Sequence, residues 1–220
     1  MRKLFSAILI IVGLAIILFP FGRNLYGDYQ QRLLLEDWDR VSQMLAEEAL
    51  EIDDGDDEEL INTQAEAERL KRREAEERER QAYIAENVEA VLIIEKINLR
   101  LPVLRGTSQK NLLISVASLE NTIKAGEVGN YAIAGHRNYG WGRHFNRLDE
   151  LGLGDVVSVE AKGCSYIYEV TEKLYVEPDE VWVLEANGQD AEITLITCHP
   201  INKPSQRLIV KGKLSHINYL

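Results

Sequence analysis

From Val91 onward the chain breaks into short apolar and β-branched runs with turn residues between them. That pattern constrains the fold more than any other feature. The runs are Val91–Ile97, Leu101–Leu104, Asn130–His136, Val156–Val159, Tyr166–Val170, Ile193–Thr197 and Leu208–Val210. Short strands spaced by turns predict a mainly β domain, an antiparallel barrel or a sandwich. Lys162-Gly163 predicts a hairpin turn, and short helices are expected over Ser108–Ile114 and Phe145–Leu151.

The segment before Val91 has a different character. At 220 residues the chain holds one ordinary domain plus appendages. Residues 4–21 form an almost unbroken apolar run after Met1-Arg2-Lys3. A run of about 18 apolar residues can span a bilayer. A cleaved signal peptide is the rival reading, but it needs a shorter apolar core and a small-x-small cleavage site, and Phe19-Pro20-Phe21-Gly22-Arg23 follows instead. Residues 1–23 are therefore expected to be a cytoplasmic tip and a transmembrane signal-anchor. Arg2 and Lys3 favour an inside N-terminus, which leaves the rest of the chain outside the cell. Residues 24–52 carry Leu33, Leu34, Trp38, Val41, Leu45 and Leu50 at an approximate helical period. The acidic run Asp53–Glu59 interrupts it; the ligand spacing of an EF-hand is absent, so it reads as a solvated break. Residues 60–86 form a charged helix in which Glu68 and Arg72, Glu74 and Arg78, and Glu76 and Arg80 stand four apart in the favourable order. Residues 24–86 thus read as an extracellular helical, charged stalk, with a partly disordered linker as the alternative. The composition shift sets the third unit at 87–220, and a fragment from Glu86 onward is expected to fold by itself.

A net charge of −11 leaves no basic surface for nucleic acid. The two cysteines, Cys164 and Cys198, form neither a C-x-x-C motif nor a Cys/His set at zinc spacing, so no metal or cofactor is expected. On spacing alone, a Cys164–Cys198 disulfide and two free thiols are both open.

Chemistry concentrates in three strand ends. Cys198 closes Thr194-Leu195-Ile196-Thr197, His136 closes Tyr131-Ala132-Ile133-Ala134-Gly135, and Arg207 leads into Leu208-Ile209-Val210. A thiolate can attack, a histidine can move the proton, and an arginine can steady the developing negative charge. Strand residues alternate faces. Thr194, Ile196 and Cys198 then share one face, and Ala132, Ala134 and His136 share another, which suits a groove ending at the thiol. Adjacent strand residues face opposite ways, so His199 is a poor base for Cys198. His144 is the next alternative to His136, His216 reads as merely exposed, and Arg137 and Arg143 compete with Arg207.

Together these residues resemble the sortases. The resemblance covers about 91–214 and rests on Leu195-x-Thr197-Cys198, Arg207 in an apolar strand, Gly135-His136-Arg137 after a strand, and Arg143-His144-Phe145-Asn146-Arg147-Leu148. It implies a closed eight-stranded β-barrel and an exported, membrane-tethered cysteine transpeptidase of the Gram-positive type. By the same resemblance Cys198 is the nucleophile, His136 the acid/base and Arg207 the stabiliser. Ala134, Thr194, Ile196, Thr197 and Ile209 match substrate-binding positions. The implied partners are a surface protein with a Leu-Pro-x-Thr-Gly-like C-terminal sorting signal and an amine acceptor in the cell wall. A class D-like enzyme fits best, with class E the nearest rival, because no second apolar segment follows Val210 and no lid motif surrounds Trp38. Two other functions stand beside this one: a thiol hydrolase that uses water as acceptor, and a non-catalytic envelope scaffold acting through the charged stalk.

Overall fold

Eight strands close on one another with every neighbour paired, which removes the exposed sheet edges that a set of short strands would otherwise leave. The structure is a computed structural model, and it describes residues 26–40, 82–84, 86–137 and 144–220, with further single positions between 71 and 78. The strands are β1 (Val88–Ile94), β2 (Leu99–Arg105), β3 (Val116–Ser118), β4 (Gly129–Ala134), β5 (Val156–Ala161), β6 (Cys164–Val176), β7 (Ala191–His199) and β8 (Gln206–Tyr219). Their order around the barrel is β1-β2-β3-β4-β7-β8-β6-β5, and β5 pairs back onto β1.

The sheet is mixed rather than purely antiparallel. β2 with β3 and β4 with β7 are parallel; the other pairs are antiparallel. Parallel partners need a crossover. Helix Gln109–Ile114 supplies one between β2 and β3, and the whole β5–β6 hairpin supplies the other between β4 and β7. Ser108 caps that helix by accepting from Asn111 N–H at 3.2 Å, within the Ser108–Ile114 stretch where a short helix is expected. Lys162 and Gly163 both have positive φ (51° and 73°) in the tight β5–β6 turn, where Ala161 pairs Cys164. Two positive φ values define the type I′ turn that matches strand twist. The expected helix over Phe145–Leu151 is a single 3-10 turn, Leu148–Glu150.

Alternation sorts the side chains into three apolar clusters. Leu92, Leu101, Val103, Tyr131, Ile133, Val159, Tyr168, Ile193, Leu195, Leu208 and Val210 fill the barrel, joined from one end by Phe145, Leu148 and Leu151. A second cluster lies outside β1–β3. There helix α1 (residues 26–40) inserts Leu34 against Val88, Leu104, Ile114 and Ala117, with Ile84 and Trp38 alongside. Asp39 on α1 also takes a two-point ion pair from Arg100 on β2, at 2.6 and 3.2 Å. Both groups are well exposed, so packing rather than charge holds α1.

The expectation of a stalk over 24–86 is therefore modified for these residues: α1 covers the barrel wall instead of standing clear of it. The physical reason is that Val88, Leu104 and Ala117 point outward and need a cover. A fragment starting at Glu86 uncovers them. The apolar run 4–21 and the acidic run 53–59 lie outside the described residues, and no described helix is long and apolar enough to cross a membrane.

If α1 contributes to the fold, Leu34→Ala lowers the unfolding free energy by about 2 kcal/mol, at the low end of buried Leu truncations because this cluster is small. Urea unfolding of the full chain checks this. An unchanged midpoint and slope means α1 does not dock in solution.

Candidate active site

The site is built where two parallel strands end side by side. β4 and β7 run in register from Gly129 opposite Ala191 to Ala134 opposite Ile196. Continuing that register by two residues sets His136 opposite Cys198. Gly135 N–H donates to Ile196 O at 3.0 Å just past the ladder, so the register holds. On the other side of β7, Cys198 pairs directly with Arg207 of β8. The thiol position is thus flanked by His136 on one neighbouring strand and Arg207 on the other, with strands about 4.8 Å apart. All three positions fall on the outer face, because Ile133, Leu195 and Leu208 face the core. Cys198, His136 and Arg207 are half-buried. One Arg207 Nη donates to Gln206 O at 3.2 Å.

Gly135 allows this arrangement. A Cβ there would lie 2.7 Å from a Phe145 ring carbon and 2.8 Å from Val116 Cγ1, both in the packed core. Its carbonyl accepts from the buried Thr197 hydroxyl at 2.7 Å. The chain can then turn tightly at the β4 end, and Phe145 N–H returns to His136 O at 3.1 Å.

The other histidines are placed elsewhere. His144 is buried behind His136, its ring stacked at 6.4 Å between centroids. His199 faces the opposite way from Cys198. Its ring packs on Tyr175 at 4.4 Å, and its Nδ1 lies 2.8 Å from an Nη of Arg137. His216 is exposed near the far end of β8, opposite Ile167. Arg137 is buried in an ion pair with Asp149, and Arg143 lies outside the described residues. The two thiols are free. Cys164 begins β6 and Arg207 pairs with Val176 at its other end, so roughly 40 Å of strand separates them at about 3.3 Å per residue. No disulfide can bridge that span.

The expected groove residues divide. Ala134 and Ile196 are half-buried on the outer face beside the thiol. Thr194 is fully buried and spends its hydroxyl on Asn130 Oδ1 at 2.8 Å, and Thr197 faces inward. Ile209 is also covered, in a third cluster with Val176 and Val183. That cover is the 3-10 helix Val181–Leu184 in the β6–β7 connection, held by Asn130 Nδ2 on Leu184 O at 2.9 Å. Sequence reasoning missed this wall; the apolar run Val181-Trp182-Val183-Leu184 was its available signal.

Gly135→Ala is expected to lower the unfolding free energy by about 1–3 kcal/mol, the usual range for overpacking a core. Chemical denaturation decides it, and a neutral result would mean that Phe145 and Val116 yield without cost.

Comparison with known proteins agrees with the fold. The sortase domain family matches residues 92–215, more than half of the chain. Sortase A of Bacillus anthracis is 39% identical over 121 residues, which cover 55% of this chain and 57% of that protein. The chain thus spans less than two thirds of the length of the curated relative it matches. Among solved structures, a Clostridium perfringens sortase D5 transpeptidase superposes with a TM-score of 0.54 at 32% identity, covering 64% of this chain and 89% of that one. Listeria monocytogenes sortase A gives 0.57 at 28% identity, covering 61% and 91%. The D5 neighbour is compatible with a class D-like assignment. With the closed barrel, the Cys198–Arg207 register and the family match in agreement, the chain belongs to the sortase family.

Proposed function

We propose that this chain is a membrane-anchored cysteine transpeptidase that cleaves a Leu-Pro-x-Thr-Gly-like sorting signal and transfers the acyl group to an amine of the cell envelope. The observation that carries the reading is the flanking of Cys198 by Arg207 in direct register and by His136 in extended register. Family membership supports the reaction class. The apolar run 4–21 supports a single membrane pass with the barrel outside the cell.

In this reading Cys198 passes its thiol proton to His136, Sγ attacks the threonine carbonyl, and the carbonyl electrons move onto oxygen. Arg207 stands one strand away with a permanent charge to steady the substrate and the oxyanion. Collapse of the tetrahedral adduct breaks the Thr–Gly bond, and His136 gives a proton to the leaving amine. A thioester remains on Cys198. An incoming amine then attacks it while His136 accepts the proton, and the thiol is restored. Ala134 and Ile196 leave an apolar floor beside the thiol, and the Val181–Leu184 helix stands over the neighbouring outer face. The class D-like subtype is part of the same proposal.

Peptide-transfer kinetics test it. Cys198→Ala and His136→Ala are expected to abolish transfer nearly completely. Arg207→Lys keeps the charge and loses the planar fork, and is expected to cost about 10²–10³ in rate. Near-normal turnover in the His136 variant would overturn the assignment.

A further inference from the structure

We propose that Arg137 and His199 form a clasp that sets the distance between His136 and Cys198, and that both are positioning residues for the reaction assigned above, on which this inference rests. Each member directly follows one of the paired functional residues: Arg137 follows His136, and His199 follows Cys198. Backbone pairing of β4 and β7 stops at Ala134 and Ile196, apart from the single Gly135 N–H to Ile196 O bond. Beyond that point the two strand ends are joined by side chains, through Thr197 Oγ1 on Gly135 O and Arg137 on His199 Nδ1 at 2.8 Å.

The clasp is anchored. Only 4% of the Arg137 side chain is exposed. Its other Nη pairs with Asp149 at 2.8 Å, and its Nε donates to Asn146 O at 3.3 Å. All three nitrogens of the guanidinium are therefore engaged, two by the 144–150 segment and one by β7, and a charge buried this deeply is held by such partners. The His199 ring is seated on Tyr175 of β6, and Gln206 stands opposite it on β8. Among the described residues, Arg137 and Tyr175 contact the ring and Asp149 pairs with the guanidinium behind it; Arg207, next along β8, belongs to the opposite face.

Chemistry fixes the direction of the bond. A guanidinium has donors and no lone pair. For this bond to form His199 Nδ1 must accept, which requires the tautomer with its proton on Nε2. The unused nitrogen cannot serve Cys198, because alternation turns the ring to the other face. The pair therefore acts on geometry rather than on the proton. Small displacements of reacting groups cost much rate while leaving substrate contacts intact.

The test uses the full chain in detergent with a sorting-signal peptide and a small primary amine. His199→Ala removes the acceptor, and His199→Asn restores it, since the amide oxygen can occupy the place of Nδ1. Loss of about tenfold in kcat with KM within about twofold is expected for the Ala variant, measured where both proteins are fully folded, with recovery of most of the loss in the Asn variant. An Ala variant with parental kcat overturns the clasp, and so does an Asn variant as impaired as Ala, which would assign the effect to the ring on Tyr175. The reaction itself is controlled separately: turnover surviving in Cys198→Ala defeats the proposed function. Long-range proton–nitrogen spectra of His199, assigned with the Asn variant, decide the clasp independently of turnover. An unprotonated Nδ1 at neutral pH is expected, and a protonated Nδ1 overturns it.

Discussion

The pairing of β7 with its two neighbours is the constraint on which the rest depends. β7 is parallel to β4 on one side and antiparallel to β8 on the other. A single strand end can thereby hold a thiol between a histidine and an arginine that are far apart in sequence. The barrel makes this rigid. Leu195 and Leu208 anchor the inward faces of β7 and β8 in a closed core, so a shift of one residue would turn the apolar side chains out and the thiol in. The placement of Cys198, His136 and Arg207 and the packing of the core are therefore the same register seen from two faces.

The β4–β7 ladder ends at Ala134 and Ile196, and beyond it the two strand ends are held by fewer bonds. Gly135 lets the chain pass between Phe145 and Val116, and Thr197 and Arg137 replace backbone pairing with side-chain bonds. The segment 144–150 takes part twice, by filling the barrel end with Phe145 and Leu148 and by presenting Asp149 to Arg137. Packing, an ion pair and a turn thus converge on one corner of the molecule.

Much of this was legible in the sequence. The alternation of Thr194-Leu195-Ile196-Thr197-Cys198 gives the correct faces, and the Lys162-Gly163 turn and the short helix after Ser108 fall where they are expected. β3 was not legible, because Val116-Ala117-Ser118 is too short to carry a period. The parallel pairings were not legible either: they depend on which strands meet across crossovers, and alternation along one strand carries no information about its partner. Outward apolar residues misled in a particular way. Thr194 and Ile209 share the thiol's face, as alternation requires, but the 3-10 helix Val181–Leu184 and Asn130 cover that part of the face. Likewise, Leu34 and Trp38 read as one side of a free helix, when Val88 and Leu104 supply the surface that they cover.

The proposed function turns on a covalent bond formed by Cys198. The most direct measurement is mass spectrometry of the full-length protein incubated with a panel of Leu-Pro-x-Thr-Gly-like peptides and no added amine, followed by peptide mapping. An acyl adduct, cleaved after threonine, is expected on the peptide containing Cys198, with Cys164 unmodified. An adduct on Cys164, or release of the threonine-ended product from a Cys198→Ala protein, would contradict it.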